Sequence, residues 1–206
     1  MSNMIEVRNV SKSFGGVVAN NDISIDVHEG EITGLIGPNG SGKTTLFNSI
    51  VGYHPVDSGS ISFKGEEISN YRVQKIARLG MLRTFQQTRI YGNSVCVDTF
   101  TAGDLSCGPQ RPVDFAMAVM IVLMVRRPPE PTAGINPTLI NGLIDRLKRA
   151  NTEFGITLFV IEHNMRVIMN MADNIYCLAH GELLASGKPD EIQNDQRVID
   201  ANLGAK

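Results

Sequence analysis

Apolar and polar residues alternate over Ile5-Glu6-Val7 and over Ile23 to Val27, the period of half-buried strands. His28-Glu29-Gly30 then turns the chain into Glu31 to Ile36, a short apolar run that stops at Gly37. Leu46 to Val51 carries helical character behind a glycine-rich turn. Ser58-Gly59-Ser60 opens a further strand over Ile61 to Phe63, closed by Lys64-Gly65. Tyr71 to Leu79 reads as a helix and Met81 to Phe85 as a strand.

The last third has an equally plain pattern. Asn136-Pro137 resembles a cap followed by proline at the first helical position. Leu139, Ile140, Leu143, Ile144 and Leu147 then mark one helical face, and Gly155 ends it. Ile156 to Ile161 is nearly all apolar, as strands buried on both faces of a parallel sheet are. A helix from Asn164 to about Ala172 follows. Ile175 to Leu178 and Glu182 to Ala185, joined at His180-Gly181, predict a hairpin. Strands alternating with helices define an α/β class. Residues 92 to 131 follow no clear period, hold several prolines, and yield no assigned elements. Their one long apolar run, Phe115 to Val125, suits a buried helix or strand and is too short to cross a hydrocarbon core roughly 30 Å thick.

Composition narrows the functions. The chain has 206 residues, 42% hydrophobic and 19% charged, which predicts a single domain over 1–206 with a sizeable core. Nineteen basic residues against 21 acidic ones leave a net charge of −2, which argues against nucleic acid as a partner. Cys96, Cys107 and Cys177 form no CxxC pair and are odd in number, so neither a zinc site nor a disulfide framework is expected, and a reducing, cytoplasmic setting fits. Met1 to Val10 lacks the basic and apolar regions of a targeting signal. Any membrane contact is therefore expected through other chains.

The chemistry is concentrated in Gly37-Pro38-Asn39-Gly40-Ser41-Gly42-Lys43-Thr44, which matches GxxxxGK[ST] between a predicted strand and a predicted helix. Glycines let backbone N–H groups turn inward around phosphates, and a helix N-terminus adds a favourable dipole. Lys43 is then placed for the β- and γ-phosphates and the Thr44 hydroxyl for Mg²⁺. Small-molecule kinases, GTPases and helicases share this loop, so further motifs must discriminate among them.

Gln86 in Arg83-Thr84-Phe85-Gln86, Leu105-Ser106-Cys107-Gly108, Glu130-Pro131-Thr132-Ala133-Gly134-Ile135-Asn136-Pro137 and Ile161-Glu162-His163-Asn164-Met165 follow in that order. Together they resemble the ATP-binding subunits of ABC transporters, and more narrowly those of branched-chain amino-acid uptake. The resemblance implies a P-loop NTPase fold of the ABC type. Its parts would be a mostly parallel sheet core, an antiparallel β part near the N-terminus and a helical subdomain, here shortened. It implies ATP and Mg²⁺ as ligands, with Gly37 to Thr44 and Thr45 around the nucleotide and Phe14 stacked on its adenine. Thr44 and Gln86 would contact the metal, Glu130 would be the general base for the attacking water, and His163 would touch the γ-phosphate. Ser106 and Gly108 would face the nucleotide of a second ATP-binding subunit in a head-to-tail dimer. Transmembrane permease subunits would hold the dimer peripherally on the cytoplasmic face of the inner or plasma membrane.

Three stretches depart from the family pattern. The signature LSGGQ reads Leu105-Ser106-Cys107-Gly108-Pro109, and proline removes an N–H where a helix should start. Counting back from Glu130, Pro129 holds the position of the metal-binding aspartate, behind Arg126, Arg127 and Pro128, a poor sequence for a central strand. Only 18 residues separate Gln86 from Leu105, where the family inserts a helical subdomain of several dozen. The main expectation is an ATP-hydrolysing importer subunit. The alternative is a nucleotide-binding module with impaired or no hydrolysis.

Overall fold

A computed structural model describes residues 2–84, 118–123, 137–162 and 165–203. Two long strands, β1 (Asn3–Phe14) and β2 (Val17–His28), pair as an antiparallel hairpin. β4 (Ser58–Phe63) pairs with β1, and the two-residue β5 (Glu66–Glu67) closes this sheet in the order β2-β1-β4-β5. The second sheet is built on β3 (Ile32–Ile36), flanked by β8 (Thr157–Glu162) and β9 (Asn174–Ala179), all parallel. Beyond β8 lie β7 (Ala118–Leu123) and β6 (Met81–Thr84), also parallel, while β10 (Glu182–Gly187) returns antiparallel along β9. The order β10-β9-β3-β8-β7-β6 puts β3 inside the sheet.

Side-chain alternation along the central strands divides the interior into two layers. Leu35, Phe159, Ile161, Tyr176 and Leu178 face the antiparallel sheet, and helix α1 (Lys43–Ile50) is packed between the sheets through Leu46, Phe47 and Ile50. Phe47 stacks on Phe159 with ring centroids 6.4 Å apart. The alternate residues, Ile32, Ile36, Leu158, Val160, Ile175 and Cys177, face the opposite layer. There they meet Ile144 of α3 (Pro137–Phe154), Val167 and Ile168 of α4 (Met165–Met169), Ile192 of α5 (Pro189–Asn194) and Val198 of α6 (Gln196–Leu203). A short helix, α2 (Val73–Arg78), buries Ile76 in the first layer.

Most expected elements are present, with several differences. β1 and β2 are far longer than their alternating cores, because left-handed Asn9 and Asp22 interrupt the period. α2 and α4 are shorter than expected. α5 and α6 were not anticipated; α5 has proline in its first turn and a Glu191 carboxylate accepting from the Lys188 N–H, yet it has too few turns to show a stripe. Ala118–Leu123, within the apolar run before Arg126, forms the strand between β6 and β8, while Arg126 to Pro129 lie outside the described residues. His180-Gly181, both at positive φ, make the expected tight turn between β9 and β10.

Candidate nucleotide site

The loop from Gly37 to Gly42 joins the C-terminal end of β3 to the start of α1, the crevice where open α/β sheets bind ligands. It is packed from behind. A Cβ on Gly37 would collide with the Leu178 carbonyl of neighbouring β9 and come within 2.8 Å of Ser41 Oγ. Gly42 caps α1 in a left-handed conformation, φ 95°, against the Ala19 carbonyl of β2. The Gly181 N–H donates to the Ser41 carbonyl at 3.3 Å, and the Asn21 N–H donates to the Gly181 carbonyl at 2.8 Å. Two remote segments thus brace the loop.

Lys43 lies inward with only 4% of its surface exposed. Its ammonium donates to the carbonyls of Gly37 (2.8 Å) and Pro38 (2.7 Å) and to Ser41 Oγ (3.3 Å). Burial lowers its pKa, with the nearby Cys177 acting weakly in the other direction. Burial likewise pushes the Cys177 thiol up to about 11. The three acceptors of the ammonium among the described residues are all neutral, which suits the group to an anionic ligand such as a phosphate. Asn39, Gly40 and Thr44 are exposed on the rim and Thr45 is half-buried. α1 has no side-chain cap and no acidic residue in its first turn, which leaves its N-terminal N–H groups and their dipole to an anion.

Phe14 sits at the tip of the β1–β2 hairpin, 44% exposed. The His54 ring meets it nearly edge-on at 5.2 Å, and Lys12 Nζ lies 5.3 Å from its centroid. Asp57 holds this tip: it accepts from Lys12 Nζ (2.7 Å), the Ser13 N–H (2.7 Å) and Ser13 Oγ (2.8 Å). These bonds lower the Asp57 pKa to about 2.

The structure therefore brings Gly37 to Thr45 together as one cradle and presents Phe14 on an ordered hairpin. Gln86, Ser106, Gly108, Glu130 and His163 lie outside the described residues. Two described strands precede Glu130 and His163 in the sequence. β7 and β8 end side by side, with Leu123 paired to the buried Glu162, the residue before His163. Sequence reasoning missed the Lys12–Asp57 clamp and the buried Asn20 amide, which donates to the Gly42 carbonyl at 3.1 Å. Asn20-Asn21-Asp22 is a polar run ahead of the alternating stretch that begins at Ile23, and the pairing of β2 shows it to be strand. Among the described residues no cluster of His, Cys, Asp or Glu could hold a metal unaided, and no helix is long and apolar enough to span a membrane.

A cradle of this build on this sheet order defines a P-loop nucleotide-binding fold, and the chain resembles the ATP-binding cassettes of ABC transporters, relatives that act as transport-coupled ATPases. The ABC transporter family model matches residues 20–99, and a model for the branched-chain amino acid ATP-binding cassette transporter matches residues 182–205. Within that class the chain is similar to the high-affinity branched-chain amino acid transport ATP-binding protein BraF of Pseudomonas aeruginosa. The two are 29% identical over 249 residues, covering 98% of each. It is equally similar, at 29% identity over 98% of this chain and 96% of the relative, to the probable branched-chain amino acid transport ATP-binding protein LivG of Archaeoglobus fulgidus. Because the match to BraF spans 249 residues and this chain has 206, BraF carries residues within the span that are lacking here, in keeping with the short Gln86–Leu105 interval. Among solved structures, the ADP conformation of MJ1267, an ATP-binding cassette of an ABC transporter, shares the fold with a TM-score of 0.78 at 22% identity, over 99% of this chain and 100% of that one. A dimeric post-hydrolysis cassette bound to ADP and phosphate matches with a TM-score of 0.66 at 17% identity, over 90% of this chain and 99% of that one. The non-hydrolysing alternative finds no support in these comparisons.

Proposed function

We propose that this chain is the ATP-hydrolysing subunit of an importer for branched-chain amino acids or related substrates, acting as a single domain over 1–206. The observation that carries the proposal is the Lys43 cradle: a desolvated ammonium held by neutral acceptors at the head of an uncapped helix. Nucleotide phosphates would complete its coordination and draw on the α1 N–H groups. Phe14, exposed on its clamped hairpin, would stack on the adenine. The exposed Thr44 hydroxyl would contribute one ligand to Mg²⁺. The ion would otherwise be held by phosphate, water and Gln86, which suits a metal that retains water and needs few protein ligands. When bound, Mg²⁺ neutralises charge on the transferred phosphoryl group.

Glu130 would act as general base toward the attacking water, with His163 orienting the γ-phosphate. Ser106 and Gly108 would reach the nucleotide of a second ATP-binding subunit. ATP binding would then favour the closed pair and hydrolysis the open one, a two-state change delivered to transmembrane permease subunits. Membrane association would be peripheral, on the cytoplasmic face.

The test is Mg²⁺-dependent ATP hydrolysis by the purified chain, alone and with its permease subunits. Lys43→Ala is expected to lower turnover by about a hundred-fold or more, since it removes a preorganised positive charge from the phosphoryl site. A folded wild-type chain that binds ATP and leaves it intact in the presence of those subunits would overturn the reading.

A further inference from the structure

Asn20 lies on β2 and is fully buried. Its Nδ2 donates to the Gly42 carbonyl at 3.1 Å, while its Oδ1 has no partner among the described residues. The buried side chains that follow it on the same strand, Ile23, Ile25 and Val27, are all aliphatic. A half-satisfied buried amide costs stability that an aliphatic side chain of similar volume would not, so packing alone does not account for an asparagine here.

Its one bond falls on a peptide that matters for the loop. The Gly42 carbonyl also accepts from the Leu46 N–H at 2.9 Å, so both its lone pairs are used. The described peptide bonds are trans, and in a trans peptide the N–H points opposite to the C=O. Anchoring the Gly42 carbonyl therefore fixes the Lys43 N–H so that it points out of the N-terminal end of α1. Gly42 itself is left-handed, with φ 95° and ψ −2°, so helical dihedrals on that side do not hold this plane. Backbone contacts press on the same place, with the Ala19 carbonyl against Gly42 and the Gly181 N–H on the Ser41 carbonyl, but Asn20 provides the side-chain bond to the peptide.

We propose that Asn20 is a positioning residue of the nucleotide site, its buried amide holding the Gly42–Lys43 peptide in the orientation that presents the Lys43 N–H and the head of α1 to a nucleotide phosphate. This rests on the nucleotide-binding reading of the loop.

The experiment compares wild type, Asn20→Leu and Asn20→Asp in the full chain. It measures thermal unfolding without nucleotide and equilibrium binding of ADP and of adenosine, which carries no phosphate. Asn20→Leu is expected to unfold at the wild-type temperature or above, to bind ADP about ten-fold more weakly, and to bind adenosine as wild type does. Asn20→Asp sets an oxygen against the Gly42 carbonyl and is expected to bind ADP more weakly still. Unchanged ADP affinity in Asn20→Leu overturns the proposal. So does equal weakening of ADP and adenosine, which marks a general structural role, and so does failure of both variants to fold. A wild-type chain that binds adenosine but gains nothing from the phosphates of ADP overturns the nucleotide-site reading as well, which distinguishes the two failures.

Discussion

Gly37 and Gly40 belong to the same motif but are constrained differently. Gly37 is buried at φ 140°, and a Cβ there would strike the Leu178 carbonyl, a backbone atom of a central strand that cannot swing aside. Gly40 is exposed at φ 79°, with nothing within 4 Å of a Cβ. Gly40→Ala therefore meets only the left-handed conformational cost, about 1 kcal/mol. Gly37→Ala adds a collision to that strain and should cost about 3 kcal/mol or more. Denaturant midpoints of the two variants check this, and ADP binding should survive Gly40→Ala and be lost with Gly37→Ala. Equal effects would show that β9 does not set the shape of the loop. The same residues explain why this part of the site was legible in the sequence: the strand end, the loop and the helix start are contiguous. Asn20 bonds to that loop from β2 and Asp57 holds the hairpin tip that carries Phe14, and no spacing rule connects either residue to the motif.

At the scale of elements, the β1–β2 hairpin shows where the periodic signal fails. Its apolar positions run Ile5, Val7 and then Val10, and the pairing with β2 shifts register between Val7 and Val10, beside left-handed Asn9. A bulge adds a residue to one strand and resets which face the next side chain takes. Alternation was therefore readable on either side of the break but not across it, and a twelve-residue strand looked like a three-residue one. The far end of this hairpin carries Phe14 and is tied down by the Asp57 carboxylate, whose pKa falls from 3.8 to about 2 because Lys12 and Ser13 donate to it. A depressed carboxylate pKa means that its stabilisation is complete above the unfolded value and disappears as pH falls through the folded value. Wild type should thus exceed Asp57→Asn in stability by a constant margin from neutrality down to about pH 4, and the margin should close between about pH 4 and pH 2. Urea midpoints measured across that range test it. A margin independent of pH would mean that the charge on Asp57 does not hold the hairpin.

For the whole molecule, the proposed site spans both sheets, since Phe14 and Asn20 belong to one and the loop from Gly37 to Gly42 follows β3 of the other. Apolar packing around α1 supplies the attraction but is non-directional. Besides the Asn20 bond, the Tyr176 side chain adds direction. β2 is an edge strand, and the Asp26 N–H and C=O are both met by the Tyr176 hydroxyl of β9, which accepts from the first and donates to the second at 3.0 Å each. The hydroxyl thus substitutes for a missing neighbour strand and covers part of an open edge. Burial, the leading cause, raises the Tyr176 pKa, so the proton needed for the donated bond is held across the physiological range. Tyr176→Phe keeps the ring and the packing but leaves both Asp26 backbone groups without this partner. It should destabilise the chain by about 1–3 kcal/mol, with the denaturant slope unchanged, since no surface is newly exposed. Hydrogen exchange at the Asp26 amide should accelerate by more than exchange at α4 or α5, which lie on the opposite layer. If exchange rises uniformly over both sheets, the hydroxyl contributes only to global stability; acceleration confined to β2 and the hairpin identifies Tyr176 as a bond that registers the antiparallel sheet against the parallel one.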